Sequence, residues 1–322
     1  MALLRYLPFI FLIILVGGLV YYKQSQVKPP AVAILSEAEL KQNLQGKEIL
    51  VVGGTKGIGY AVVEGLAKRG SKVTFTGRTA PKHVPNGARF VKNDVSSAKA
   101  ARDLVQKDLK GLTFDTVVLC VGIISRPNLT RTSEGIEEDL AVSYLSRFVI
   151  SNELIKANAL VGRKRVYIMG FPGEAVEPTD IEDINFERTE YKQWPAHMNT
   201  VILNEALVHE LARRHPDLHV FGLNPGIIQT EIRDNFHGGK QSVLGNVLET
   251  IIGLAFKSAE QYVERYLIHL ISSPELSKKS AICFNHGAAL VGIGPWMSDS
   301  TNRLKAWESS NHIVSKVLGT SY

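Results

Sequence analysis

The sequence predicts an α/β protein in which a doubly wound parallel sheet forms a single domain behind an N-terminal transmembrane helix. Three observations lead there. Short β-branched runs alternate with longer amphipathic stretches from Glu48 onward, a glycine cluster follows the first of those runs, and residues 7–22 form an uncharged apolar segment. The resulting division is an anchor over residues 1–22, a tether over 23–45, and a folded domain over 46–322 that ends in a C-terminal substrate lid. With 322 residues and 45% hydrophobic content, the chain can bury a sizeable core.

The anchor comes first. LPFIFLIILVGGLVYY lies between Arg5 and Lys23 and would reach ~25 Å as a helix, enough to cross a thin bilayer. A cleaved signal peptide normally has a shorter apolar region ending at small residues, whereas Tyr21, Tyr22 and Lys23 follow here. Lys23 and Lys28 outnumber Arg5 beside the segment, which by the positive-inside tendency leaves the large domain facing the cytosol at the endoplasmic reticulum or another organelle surface. Asn128-Leu129-Thr130 is a glycosylation sequon that would be modified only in the opposite topology. In the tether, the Pro29-Pro30 break precedes a short helix whose Ser36 and Glu39 have capping-box spacing.

Strand candidates follow in order: EILVV, KVTFT, ARFVK, TVVLC, RVYIM, LHVFGL and AICF. Between the first two lies Gly53-Gly54-Thr55-Lys56-Gly57-Ile58-Gly59, and then the helical stretch AVVEGLAKRG. Glycines in a strand-turn-helix unit permit a tight turn and let backbone approach a pyrophosphate, which rests on the amide-rich start of the helix. That is the signature of a Rossmann dinucleotide site. Toward the C-terminus, residues 243–256 are apolar at helical spacing, and an amphipathic helix over 258–270 precedes the last strand.

Several function classes are excluded. The 37 Lys+Arg against 31 Asp+Glu leave a formal charge of +6, but the bases are scattered without aromatic interleaving, so no nucleic-acid partner is expected. Cys120 and Cys283 each sit in an apolar run, which points to a reducing compartment without a disulfide framework. The nine histidines lack metal-ligand spacing, and no G-x-S-x-G elbow suggests a hydrolase.

The glycine spacing resembles that of short-chain dehydrogenases/reductases, and the resemblance runs from about Glu48 to the final strand. It is strongest to the retinol-dehydrogenase-like branch, through Glu134-Gly135-Ile136-Glu137 with LAVSYLSRF, Asp183-Ile184-Asn185-Phe186, Asn204 and ELARR. AHMNT, GFPG and FGLNPG are similar to a fungal clade of oxidoreductase-like proteins. The resemblance implies cofactor contacts at Gly53, Thr55, Lys56, Gly57, Ile58, Gly59, Arg78, Asp94, Gly122, Pro225, Gly226 and Thr230. Arg78 stands where an NAD enzyme would carry an acid, and Lys56 adds a second cation, so NADP is expected over NAD.

What the family's chemistry needs is missing. Anchored on Asn204 and ELARR, the family's Tyr falls on His197 and its Lys on Val201, while Gly170 stands for the Ser and Ser143 for the relay Asn. No shift restores the pair: Pro195 lies four residues after Tyr191, and Phe148 four after Tyr144. His197 is then the candidate general acid, since an imidazole exchanges protons near neutrality, with Ser143 as a relay. The expected activity is NADP(H)-dependent interconversion of an apolar carbonyl and its alcohol. The alternative is a non-catalytic NADP(H)-binding protein at a membrane surface. Expected partners are the small-molecule substrate, the membrane, and a second copy paired through the long helices.

Overall fold

The computed structural model describes residues 28–173, 177–226, 228 and 257–322. Strands β1 (Glu48–Val52), β2 (Lys72–Gly77), β3 (Ala88–Lys92), β4 (Phe114–Leu119), β5 (Leu160–Met169), β6 (His219–Leu223), β7 (Ile282–Phe284) and β8 (Leu290–Val291) form one sheet in the order β3-β2-β1-β4-β5-β6-β7-β8. β1 to β7 run parallel, and β8 pairs antiparallel with β7. The order reverses between β1 and β4, and ligands bind at the carboxyl ends of strands beside such a reversal.

The sheet forms where the sequence places β-branched runs because both of its faces are covered. Along β1, Leu50 and Val52 enter one core while Ile49 and Val51 enter the other, so the run has no polar face to show. Helices α1 (Glu37–Leu44), α2 (Gly57–Ala67), α6 (Ala259–Tyr262) and α7 (Ile268–Ser272) bury residues in the second core. The first core takes α3 (Ala98–Asp103), α4 (Ser146–Lys156), α5 (Gln193–Arg214) and, after the short α8 (Pro295–Ser298), the C-terminal α9 (Ser300–Leu318).

Two expectations change. Residues 31–45, assigned above to a tether, pack onto the body: Leu40 and Leu44 are buried, Ala31 N donates to Ala288 O, and Leu35 N donates to His269 Nδ1. Arg69 clamps them by donating to both Glu37 and Glu264. The capping box of Ser36 and Glu39 is present on α1. β5 reaches back to Leu160, with positive φ at Gly162 and Lys164 and a register shift opposite Phe114 and Thr116, because VGRK interrupts the alternation.

The anchor segment and residues 243–256 lie outside the described residues, as does Thr230. Among the described residues no helix is long and apolar enough to cross a membrane, and no group of three or more His, Cys, Asp or Glu could hold a metal ion. Cys120 and Cys283 are free. Residues 307–322 pack over α4: Trp307 lies edge-on against Phe148, and Tyr322 OH donates to Glu153 Oε1 at 2.6 Å.

Candidate active site

Backbone geometry explains the glycine cluster. Gly53 has φ +83°, and a Cβ there would stand 2.6 Å from Val121 N; one at Gly59 would stand 2.0 Å from Gly53 O. The first turn of α2 therefore lies directly on the loop after β1, an approach that side chains would block. Gly77 makes room for Thr55 in the same way, with Thr55 Cγ2 2.5 Å from where its Cβ would be. Lys56, the N-cap of α2, puts no side chain on the helix's first amides, and the first turn holds no acid. The N–H groups of Gly57, Ile58 and Gly59 thus face an anion-binding position, and this cradle fits a dinucleotide pyrophosphate.

The remaining nucleotide candidates gather at the same edge of the sheet. Arg78 is exposed just after β2, and Lys56 is exposed at the start of α2. Asp94 follows β3, its Oδ1 accepting from Ser96 N at 3.1 Å. Gly122 follows β4. Pro225 and Gly226 follow β6, where Gly226 (φ +70°) donates to Asn224 Oδ1 at 2.9 Å.

His197 lies on α5 with 18% of its side chain exposed, and its Nδ1 is 2.8 Å from Asp139 Oδ2. Asp139 is completely buried and also accepts from Ser125 Oγ at 2.8 Å and from Ser143 Oγ. Ser143 does not touch His197; the two meet through Asp139. Its Oγ also accepts from Ile123 N at 2.9 Å, which fixes the loop after β4. Asp139 precedes, and Ser143 lies within, a widened π-helical stretch, Leu140–Leu145, that leads into α4; such widenings re-aim side chains and recur at functional sites. With its Nδ1 side held by Asp139, the imidazole has Nε2 as its remaining proton-exchanging atom.

Two tyrosines weighed in the sequence are both engaged. Tyr191 OH donates to Arg126 O at 2.7 Å, and its pKa is pushed up to about 12 by burial and then by nearby Glu137. Tyr144 is buried against Ser310, and burial raises its pKa as well. Val201 is buried, and Gly170 abuts Asn204, whose Cβ lies 3.5 Å from a Cβ built at the glycine. Asn204 in turn donates to Ser143 O at 2.9 Å and accepts from Arg147 at 2.8 Å. Trp194, 59% exposed, has its ring centroid 5.8 Å from that of His197.

Asp139, Ser125 and Arg147 are site residues that the sequence reading missed. Asp139 closes the acidic triplet Glu137-Glu138-Asp139, a pattern that ordinarily marks a solvated surface.

Glu137 shares the buried acid cluster. Burial, and then the neighbouring Asp139, raise its pKa to about 7 from 4.5. Between those values the folded protein holds a proton that the unfolded chain has released, so its contribution to stability is lost as pH rises toward 7. Glu137→Gln, neutral throughout, should therefore raise the melting temperature at pH 8, by on the order of 1–3 kcal/mol of stability, and leave it nearly unchanged at pH 4.5. Equal shifts at both pH values would contradict the assignment.

The comparisons agree with this geometry. Residues 47–166 match the family model described as short chain dehydrogenase. An uncharacterized oxidoreductase of Saccharomyces cerevisiae is 33% identical over 279 residues, covering 84% of this chain and 88% of that protein. Retinol dehydrogenase 13 of Mus musculus is 25% identical over 288 residues, covering 85% of each. A Shigella flexneri short chain dehydrogenase solved in complex with NADP superposes with a TM-score of 0.56 at 16% identity, covering 76% of this chain and 99% of that one. The cradle, the sheet order and the yeast relative agree: the chain belongs to the short chain dehydrogenase family, whose oxidoreductases act on CH–OH or C=O groups with NAD(P) cofactors.

Proposed function

We propose that the chain is an NADP(H)-dependent oxidoreductase that interconverts an apolar aldehyde or ketone and its alcohol, with His197 replacing the family's tyrosine as proton donor. The observation that carries the reading is the 2.8 Å contact between His197 Nδ1 and the buried Asp139. A bound nicotinamide nucleotide supplies or takes up hydride. Asp139 accepts a hydrogen bond from Nδ1–H and holds the ring in one orientation, so that Nε2 delivers a proton to the substrate oxygen in reduction and removes it in oxidation. Ser143 and Ser125 fix the carboxylate, and Ser143 is thereby a relay only through Asp139. Val201 leaves no lysine to assist a phenol, and an imidazole needs none.

Gly53, Thr55, Gly57, Ile58 and Gly59 would hold the pyrophosphate, Asp94 the adenine side, Gly122 the cofactor where it crosses the end of β4, and Pro225, Gly226 and Thr230 the nicotinamide end. Arg78 and Lys56 support a 2′-phosphate and hence NADP over NAD. Trp194 and the apolar residues 243–256 support an apolar substrate. We further infer that residues 1–22 anchor the chain in a membrane with the domain on the cytosolic side.

Full-length protein extracted in detergent provides the test. Apolar aldehydes should drain NADPH absorbance, NADPH should bind more tightly than NADH, and the chain should stay with carbonate-washed membranes, its exposed Asn128 unglycosylated. NADPH binding without turnover on any carbonyl would instead mark a nucleotide-binding protein that no longer catalyses. A chain released by carbonate would remove the anchor.

A further inference from the structure

Arg147, one turn beyond Ser143, is only 4% exposed, yet no carboxylate among the described residues touches it. Its guanidinium donates to the carbonyl of Val121 after β4, to the carbonyl of Met169 ending β5, and to Asn204 Oδ1 at 2.8 Å. All three partners are neutral. A buried charge is ordinarily matched by an opposite charge, because desolvation without one is costly. Asp139 acts on Arg147 only through the intervening space, and it is already engaged by His197, Ser125 and Ser143. Burial pushes the Arg147 pKa down to about 10, which still leaves it charged at neutral pH.

The position of this charge gives it a use. Nη2 lies 3.3 Å from where a Cβ on Gly122 would stand, so the cation sits directly against the backbone at the carboxyl ends of β4 and β5. Pro225 and Gly226 end β6 on the same edge, and Asn204 ties Arg147 to the helix that carries His197. An oxidised nicotinamide ring carries one more positive charge than a reduced one, and a fixed cation in a dry environment repels that extra charge. We propose that Arg147 makes this site select the reduced over the oxidised nicotinamide nucleotide and so favours carbonyl reduction as the working direction. The inference rests on the nucleotide site proposed above. Arg147 acts through its field and its hold on the strand ends, which makes it a positioning residue.

Equilibrium titration of the full-length protein with NADPH and with NADP⁺ tests it without turnover. NADPH should bind more tightly by on the order of tenfold. Arg147→Lys, which keeps the charge, should retain most of that ratio. Arg147→Gln, a neutral donor able to serve the same carbonyls, should bring it close to one, with thermal melts confirming that each variant is folded. A Gln variant that keeps the wild-type ratio overturns the proposal and leaves Arg147 as a strand-end clamp. Equal affinities in the wild-type protein overturn it even if the Gln variant does not fold, while leaving the nucleotide site intact. If neither nucleotide binds the wild-type protein, both this inference and the reading beneath it fall.

Discussion

His197→Ala should lower turnover of an apolar aldehyde by about 10²–10⁴, the usual worth of a positioned general acid, while the affinity for NADPH stays within a few fold. The separation follows from the geometry. His197 reaches the site from α5 and is held by Asp139, whereas the nucleotide cradle is built from the loop after β1 and the start of α2. Removing the imidazole also strips buried Asp139 of one of its three donors, which costs about 1–3 kcal/mol of stability. A glutamine variant guards against that confusion. His197→Gln can still donate to Asp139 but cannot deliver a proton, so it should recover stability and remain as slow as the alanine variant. Steady-state rates with fixed NADPH and a series of aldehydes check this, and full activity in either variant would remove His197 from the chemistry.

Gly59→Ala should abolish measurable NADPH binding, a loss of at least ~100-fold, without touching any group that contacts substrate. The new methyl would stand 2.0 Å from the carbonyl oxygen of Gly53, a backbone atom that cannot swing aside. Either α2 or the loop after β1 must move by about an ångström, and strain of that kind typically costs 1–3 kcal/mol. The same movement takes the amides of Gly57, Ile58 and Gly59 away from the phosphate position, so affinity suffers more than stability. Gly292→Ala is the matched control, since a Cβ there meets nothing within 4 Å. Fluorescence titration and thermal melts of both variants distinguish a displaced cradle from general unfolding.

The sheet and the cradle were legible because their determinants are local. EILVV and ARFVK coincide with β1 and β3 to the residue: Ile49 to Val52 form a continuous apolar run buried on both faces, and ARFVK, at the edge of the sheet, still shows its short run of strand-forming residues. The glycine loop was equally plain: backbone crowding admits only glycine at Gly53 and Gly59. The candidate site was legible by half. His197 and Ser143 emerge once the missing Tyr and Lys positions are located, but Asp139 and Arg147 look like ordinary surface charges in one dimension. Both are buried because the π-helical stretch Leu140–Leu145 and α5 press together beneath the ends of β4 and β5. The docking of residues 31–45 was hidden for a similar reason. The capping box is local, whereas the partners of Arg69 and Leu35, Glu264 and His269, lie more than 190 positions away. β8 has only two residues, too short a run for alternation to reveal.

All of the chemistry assigned to this chain depends on a pyridine nucleotide resting on the first turn of α2. Titrating the purified full-length protein with NADPH, followed by nucleotide fluorescence, measures that directly. Saturable binding with one nucleotide per chain, lost in Gly59→Ala and kept in His197→Ala, is the outcome the account predicts. An absence of saturable binding for NADPH and NADH alike, in protein that melts cooperatively, would contradict it.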